Sequence, residues 1–324
     1  MHNAVDYRPC RGRRTPYLRD SADGEEKSTS NRAQQFGIVS RAPTPDDQDN
    51  RLARTVAMDI KDKIVVVTGA AQGIGYALAL EAKARGAKAV VCVDLKEDAA
   101  RATAKLVGGT AFTCNVGVEA DVARVVAETE KSIGPIGLFC CNAGIGNFGG
   151  DPTSSTASPN EAWQRGWDVN VMSHVFAARA CLPHMIARGS GYFLNTVSAA
   201  GLLNQVGSAV YGVTKHAAIG FAEHLAFTHR DQGIRVSVLC PQGVDTPLLR
   251  ASGSGPQFDD GVITAEQCAK TAFDGIAKET FCILPHPIVA KYMQNKPADY
   301  DRWIAGMAKL NRAFQAAVKV KGTR

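Results

Sequence analysis

The chain has 324 residues, of which 45% are hydrophobic and 21% charged. That is ordinary globular composition, and the length suffices to bury a large core. The net charge of +6 comes from 37 basic and 31 acidic residues spread along the chain, which leaves no footprint for nucleic acid or an anionic membrane surface. No apolar run approaches the ~18 residues that a membrane-spanning helix needs.

Nine cysteines are an odd number, none lies in a C-x-x-C, and several sit inside strand-like apolar runs. They read as small buried hydrophobes in a reducing compartment, which places the protein in the cytoplasm. Cys140 and Cys141 are adjacent, so on a strand they point to opposite faces and form no ready chelate. The histidines show no metal-ligand spacing, and no metal is expected.

Residues 1–57 differ from the rest. Arg11-Gly12-Arg13-Arg14 and Pro43-Thr44-Pro45-Asp46-Asp47 typify a polar segment without apolar period, expected to be disordered. A start at Met58, with an extension upstream, is the other reading. The arginines suggest a mitochondrial presequence, but Glu25, Glu26 and six aspartates argue against one.

From Lys61 onward strands and helices alternate. Strands are predicted at 64–68, 89–94, 111–114, 136–141, 191–196 and 235–239. Helices are predicted at 74–85, 98–106, 119–132, 160–188 and 208–232. A further strand at 281–284 and a helical tail at 300–318 follow. The strands are continuous apolar runs rich in β-branched residues, which suits parallel strands buried on both faces. The alternation predicts an α/β fold: one open parallel sheet flanked by helices on both faces, a single domain over 58–324.

The first strand runs into Thr68-Gly69-Ala70-Ala71-Gln72-Gly73-Ile74-Gly75 and then a helix. Glycines in such a turn let the backbone approach a pyrophosphate, and the helix N-terminus offers free N–H groups to it. Gly69, Gln72, Gly73, Ile74 and Gly75 are the expected cradle. Asp94 ends the second strand, where an acid bonds the ribose hydroxyls of an adenine dinucleotide. A carboxylate there repels a 2′-phosphate, so NAD is expected over NADP. The alternative is that Asp94 only caps the next helix.

Tyr211 and Lys215 are four residues apart in a helical pattern and share one face. An ammonium so placed lowers a phenol's pKa and suits the phenol to acid/base work. Ser198 follows the fifth strand, at the sheet edge where ligands bind in open α/β folds.

In order and spacing, Gly69-x-x-x-Gly73-x-Gly75, Asn142-Ala143-Gly144, Asn170, Ser198, Tyr211-x-x-x-Lys215 and Pro241-x-x-Val244-x-Thr246 resemble the short-chain dehydrogenase/reductase family. The match spans about 60–250. The resemblance implies a Rossmann-type doubly wound sheet and hydride transfer between NAD(H) and a secondary alcohol or ketone. It implies that Tyr211 is the acid/base, that Lys215 lowers its pKa and binds the nicotinamide ribose, and that Ser198 orients the substrate oxygen. Asn170 would hold a water that relays protons towards Lys215. Val244 and Thr246 would bind the carboxamide, and Asn142, Ala143 and Gly144 would line the cofactor groove. Asn115-Val116 stands where the family often has Asp-Val against adenine. Cys141 replaces a frequent Asn, and Gln242 replaces a Gly beside Pro241, which bears on the turn near nicotinamide.

The stretches 145–159 and 247–261 are rich in Gly, Ser and Pro and are predicted as loops at the active-site edge. Within the second, Leu248, Leu249 and Phe258 read either as an apolar lid over a fairly apolar substrate or as loop anchors. Apolar residues spread around the 208–232 helix, and family members pair this helix with a symmetry mate; a homodimer or homotetramer is expected. Two competing readings remain: an NADPH-dependent ketoreductase, and a non-catalytic NAD-binding module.

Overall fold

A computed structural model of the protein describes residues 58–252 and 255–322. The reading of residues 1–57, including Cys10, lies outside them. β1 (Ile64–Thr68) is buried along its whole length, and its side chains part into two layers. Val65 and Val67 join one core with Ala77, Leu78, Phe273 and Ile276. Ile64 and Val66 join the other with Val122, Val125, Ala177, Met185, Ala218 and Leu225. The period of two in a strand covered on both faces requires this division. Cys140 and Cys141 divide in the same way.

The remaining elements are α1 (Gly73–Ala84), β2 (Ala89–Asp94), α2 (Glu97–Val107), β3 (Thr110–Thr113), α3 (Glu119–Ser132) and β4 (Ile136–Cys141). After these come α4 (Asn160–Trp167), α5 (Ser173–Ala187), β5 (Gly191–Thr196), α6 (Ala200–Leu203), α7 (Ala209–His229) and β6 (Ile234–Leu239). The chain continues through α8 (Pro247–Ala251), α9 (Ala265–Ala277), β7 (Cys282–Ile283), α10 (Ile288–Ala298) and α11 (Tyr300–Gly322). The seven strands are parallel, in the order β3-β2-β1-β4-β5-β6-β7. The order reverses direction between β1 and β4. Connections there leave the strand ends on opposite faces and open a crevice at the carboxyl edge.

Several predicted boundaries move. The single helix expected over 160–188 is interrupted by a π-turn, Asp168–Met172. The extra residue in that turn leaves the apolar period on either side intact, so it gives no sequence signal. β3 begins one residue before its predicted start, and β7 keeps only the middle of the predicted 281–284 run. Within 247–261, expected as a loop, Thr246 caps α8 by accepting from the Leu249 N–H at 3.2 Å, and Pro256–Phe258 forms a 3-10 turn. α9 was not predicted, although Thr264 and Gln267 form a capping box at its start, a pattern legible in sequence. α10 was also missed.

Among the described residues the eight cysteines are free, seven of them buried. No group of three or more His, Cys, Asp or Glu there could hold a metal ion. No described helix is long and apolar enough to cross a membrane.

Candidate active site

A cleft of about 1380 Å³ follows the carboxyl edge of the sheet. Gly69, Gln72, Gly73, Ile74, Asp94, Asn115 and Val116 line one part of it. Asn142, Ala143, Gly144, Ser198, Tyr211, Lys215, Val244 and Thr246 line another. Two expected residues do not reach its surface. Gly75 lies beneath the turn, and Asn170 is fully buried.

The glycine turn owes its shape to its lack of side chains. Gly69 adopts φ +68°, a left-handed conformation that glycine takes without steric cost. A Cβ on Gly75 would sit 2.1 Å from the Gly69 carbonyl oxygen. α1 then starts with no acidic residue in its first turn and no side-chain cap from Gln72. Its first N–H groups are thus left for an anion, with the positive end of the helix dipole behind them. The charge of a pyrophosphate fits this cradle.

Asp94 joins the glycine turn to the start of α2. Its Oδ2 accepts from the Ala71 N–H at 3.0 Å and its Oδ1 from the Lys96 N–H at 3.0 Å. The carboxylate is thereby pinned between the turn and the start of α2, facing the cleft. The Asn115 amide oxygen accepts from the Gly117 N–H at 3.1 Å, which leaves it one lone pair. Thr68 was overlooked in the sequence. Its hydroxyl donates to the Cys140 carbonyl at 3.2 Å and accepts from the Asn142 and Ala143 N–H groups at 2.9 and 3.1 Å. It ties β1 to the end of β4 and sets the Asn142-Ala143-Gly144 wall.

At the other end, Ser208 caps α7. This places Tyr211 in the first turn and Lys215 one turn later on the same face. The Lys215 Nζ donates to the Thr196 carbonyl at 3.2 Å and lies 5.6 Å from the Tyr211 ring centroid. Ser198 has φ +153°, strained for a residue with a side chain. Its hydroxyl accepts from the Ala200 N–H at 3.1 Å and faces the Pro241 carbonyl at 3.4 Å. The π-turn presents Asn170 to the loop after β4: its Oδ1 accepts from the Ile145 N–H and its Nδ2 donates to the Ile145 carbonyl, both at 3.0 Å. Gln242 donates to Asp260 at 2.9 Å, so it anchors the 256–261 segment and leaves Val244 and Thr246 on the cleft wall.

Burial decides the protonation of this cluster. It lowers the Lys215 pKa to about 8, because an ammonium out of water is costly. Burial also raises the Tyr211 phenol, against the opposing hydrogen bond of Ser198. The Lys215 ammonium bonds the Thr196 carbonyl, and burial is the largest influence on the phenol.

The substrate side holds a second correction. Leu248 and Leu249 line the cleft and Phe258 does not. Trp303, Met307, Leu310 and Phe314 of α11 line it as well. Their spacing along one helix face was the available signal, and nothing local showed that the face lies over the site.

The family model described as short chain dehydrogenase matches residues 63–257. The chain belongs to the short-chain dehydrogenase/reductase family. It is 33% identical over 234 residues to 1-deoxy-11-beta-hydroxypentalenate dehydrogenase of Streptomyces exfoliatus, covering 69% of this chain and 83% of that one. To 2-(S)-hydroxypropyl-CoM dehydrogenase 3 of Xanthobacter autotrophicus it is 32% identical, over 61% of this chain and 76% of that one. A family structure from Burkholderia phymatum, solved in complex with NAD, superposes with a TM-score of 0.66 at 26% identity, covering 75% of this chain and 96% of that one. The family match ends before α10 and α11, so this part of the cleft wall is additional to the matched dehydrogenase segment.

Proposed function

We propose that this short-chain dehydrogenase is NAD(H)-dependent and acts on a secondary alcohol or ketone, with Tyr211 as acid/base. The observation that carries the reading is convergence: Ser198, Tyr211 and Lys215 line the same cleft as the glycine turn and Asp94. The names of the two relatives, both dehydrogenases, agree with the reaction class.

Bound nicotinamide would supply the hydride acceptor or donor; the protein supplies position and the proton. The Gly69–Gly75 turn would hold the pyrophosphate, Asp94 the adenosine ribose, and Val244 with Thr246 the carboxamide. The Ser198 hydroxyl orients the substrate oxygen towards the Tyr211 phenol, which gives a proton to a carbonyl or takes one from an alcohol. Lys215, charged below about pH 8, holds the nicotinamide ribose. A Cβ on Gly144 would lie 3.4 Å from both Asn170 Oδ1 and Lys215 Nζ. Both atoms thus lie near Gly144, and in this reading Asn170 would hold a relay water between them.

Asp94 favours NAD, because its carboxylate would repel a 2′-phosphate; Lys96 on the same wall favours the NADPH reading. Turnover of a panel of secondary alcohols and their ketones with each cofactor separates them. NAD(H) is expected to give at least a roughly tenfold higher kcat/KM, equivalent to about 1.4 kcal/mol, with the preference reduced in Asp94→Asn. Equal or better use of NADP(H) would reverse the cofactor assignment, and NAD binding without turnover of any compound would favour a binding module.

The proposal includes a homodimer or homotetramer. α7 buries Val210, Ala218, Ile219, Ala222 and Leu225 within the subunit, yet Val213 and Phe227 stay 46% and 68% exposed. Light scattering at micromolar concentration is expected to give a multiple of the chain mass; a monomer contradicts this.

A further inference from the structure

α11 shows an apolar stripe of which, among the described residues, only Trp303 joins a packed cluster. Trp303, Met307, Leu310 and Phe314 are all half-buried, while Ile304, on the flank of the stripe, is 55% exposed. Trp303 packs at the edge of a small cluster around Leu203 and Val289. Met307, Leu310 and Phe314 belong to none of the packed clusters among the described residues. What they face is the cleft.

The helix is held there at both ends. α10, which leads into it, is anchored by the fully buried Val289 and by the Lys296 Nζ, which donates to the Leu202 carbonyl at 2.7 Å. Further along, the Gln315 side chain donates to the Thr153 carbonyl at 3.3 Å, joining α11 to the loop after β4. Phe314 lies so close over Gly207 that a Cβ there would meet its Cζ at 2.7 Å. Gly207 directly precedes Ser208, the cap of the helix that carries Tyr211. On the facing side Leu248 and the Tyr211 ring both border Gly146: a Cβ there would be 3.2 Å from Leu248 Cδ1 and 3.7 Å from Tyr211 Cε2.

We propose that α11 is the roof of an apolar substrate channel, and that Met307, Leu310 and Phe314 select secondary alcohols or ketones with a long uncharged hydrocarbon part. This rests on the reading of Ser198 and Tyr211 as the reacting end. From Trp303 to Phe314 the stripe runs about 16 Å at 1.5 Å per residue, room for an extended chain rather than a small hydroxy acid. Asp299 and Arg302 also line the cleft but are exposed and form its rim. A hydrocarbon chain seated under the stripe removes from water an apolar face that folding alone leaves half-wet.

The test is kcat/KM for 2-alkanols from 2-butanol to 2-decanol with NAD, alongside calorimetric titration of 2-decanone into the NAD-saturated protein. The expected result is a rise of about fourfold per added methylene, and binding of 2-decanone with a negative heat-capacity change. Phe314→Ala and Met307→Ala are each expected to cut the preference for 2-decanol over 2-butanol by roughly tenfold. A flat or falling series in a protein that still turns over alcohols overturns the channel and leaves the oxidoreductase reading standing. If no alcohol or ketone is turned over, that reading falls and calorimetry decides the channel. Binding of 2-decanone that Phe314→Ala weakens supports it, and no binding overturns it.

Discussion

Tyr211→Phe is expected to lower turnover of any accepted alcohol or ketone by about a thousandfold while leaving NAD affinity within a few-fold. General acid/base catalysis contributes about 10²–10⁴, and this substitution removes only the phenolic oxygen. The ring packs beside Phe148, Ala162 and Val210, contacts that Phe preserves, so loss of fold is not an alternative explanation. Ser198 remains in place, strained and bonded to the Ala200 N–H, but without the phenol that exchanges the substrate's proton. Single-turnover kinetics and cofactor fluorescence measure the two quantities separately. Activity within tenfold of wild type would remove Tyr211 from the chemistry and leave the cleft a binding site.

The second expectation concerns stability. Lys215 is only 3% exposed, and burial brings its pKa from the ordinary 10.5 to about 8. At pH 7 both folded and unfolded chains carry the proton, so the folded state bears the cost of a buried ammonium. Between about pH 8 and 10.5 the unfolded chain keeps a proton that the folded chain has released, and stability contributed by this group rises with pH. Lys215→Met removes the charge and retains an apolar stem. It is expected to stabilise the cofactor-free protein at pH 7 by about 2 kcal/mol, from the size of the shift less a lost hydrogen bond to Thr196. The gain over wild type should shrink towards pH 10, and activity should fall sharply. Urea unfolding at pH 7 and pH 9.5 reads both effects. A Lys215→Met protein less stable at pH 7 would show that the bond to the Thr196 carbonyl outweighs the desolvation. A site that stores such a cost is retained for function.

Much of this site follows from short-range pattern. The continuous β-branched runs identify strands buried on both faces, and β1 leads straight into a glycine turn whose chemistry is local. Asp94 ends a strand, so its place beside that turn follows from the parallel pairing of β1 and β2. Tyr211 and Lys215 share a face because they are four apart on a helix. Each of these depends on a few residues of backbone geometry, and the amino-acid order carries that information by itself.

What the order of residues leaves open depends on partners far along the chain. The π-turn at Asn170 is held by the loop after β4, so its place is set by a tertiary hydrogen bond rather than by propensity. Thr68 looks like any strand-ending threonine until β4 comes alongside. Burial is the largest influence on the protonation of Tyr211 and Lys215, and it sums over every element packed around them, which their spacing does not show. The stripe on α11 is legible as an amphipathic face, but only the docking of α10 against α6 turns that face over the cleft. Local periodicity specifies which side of an element is apolar; the tertiary fold alone decides whether that side meets a core, a partner or a substrate.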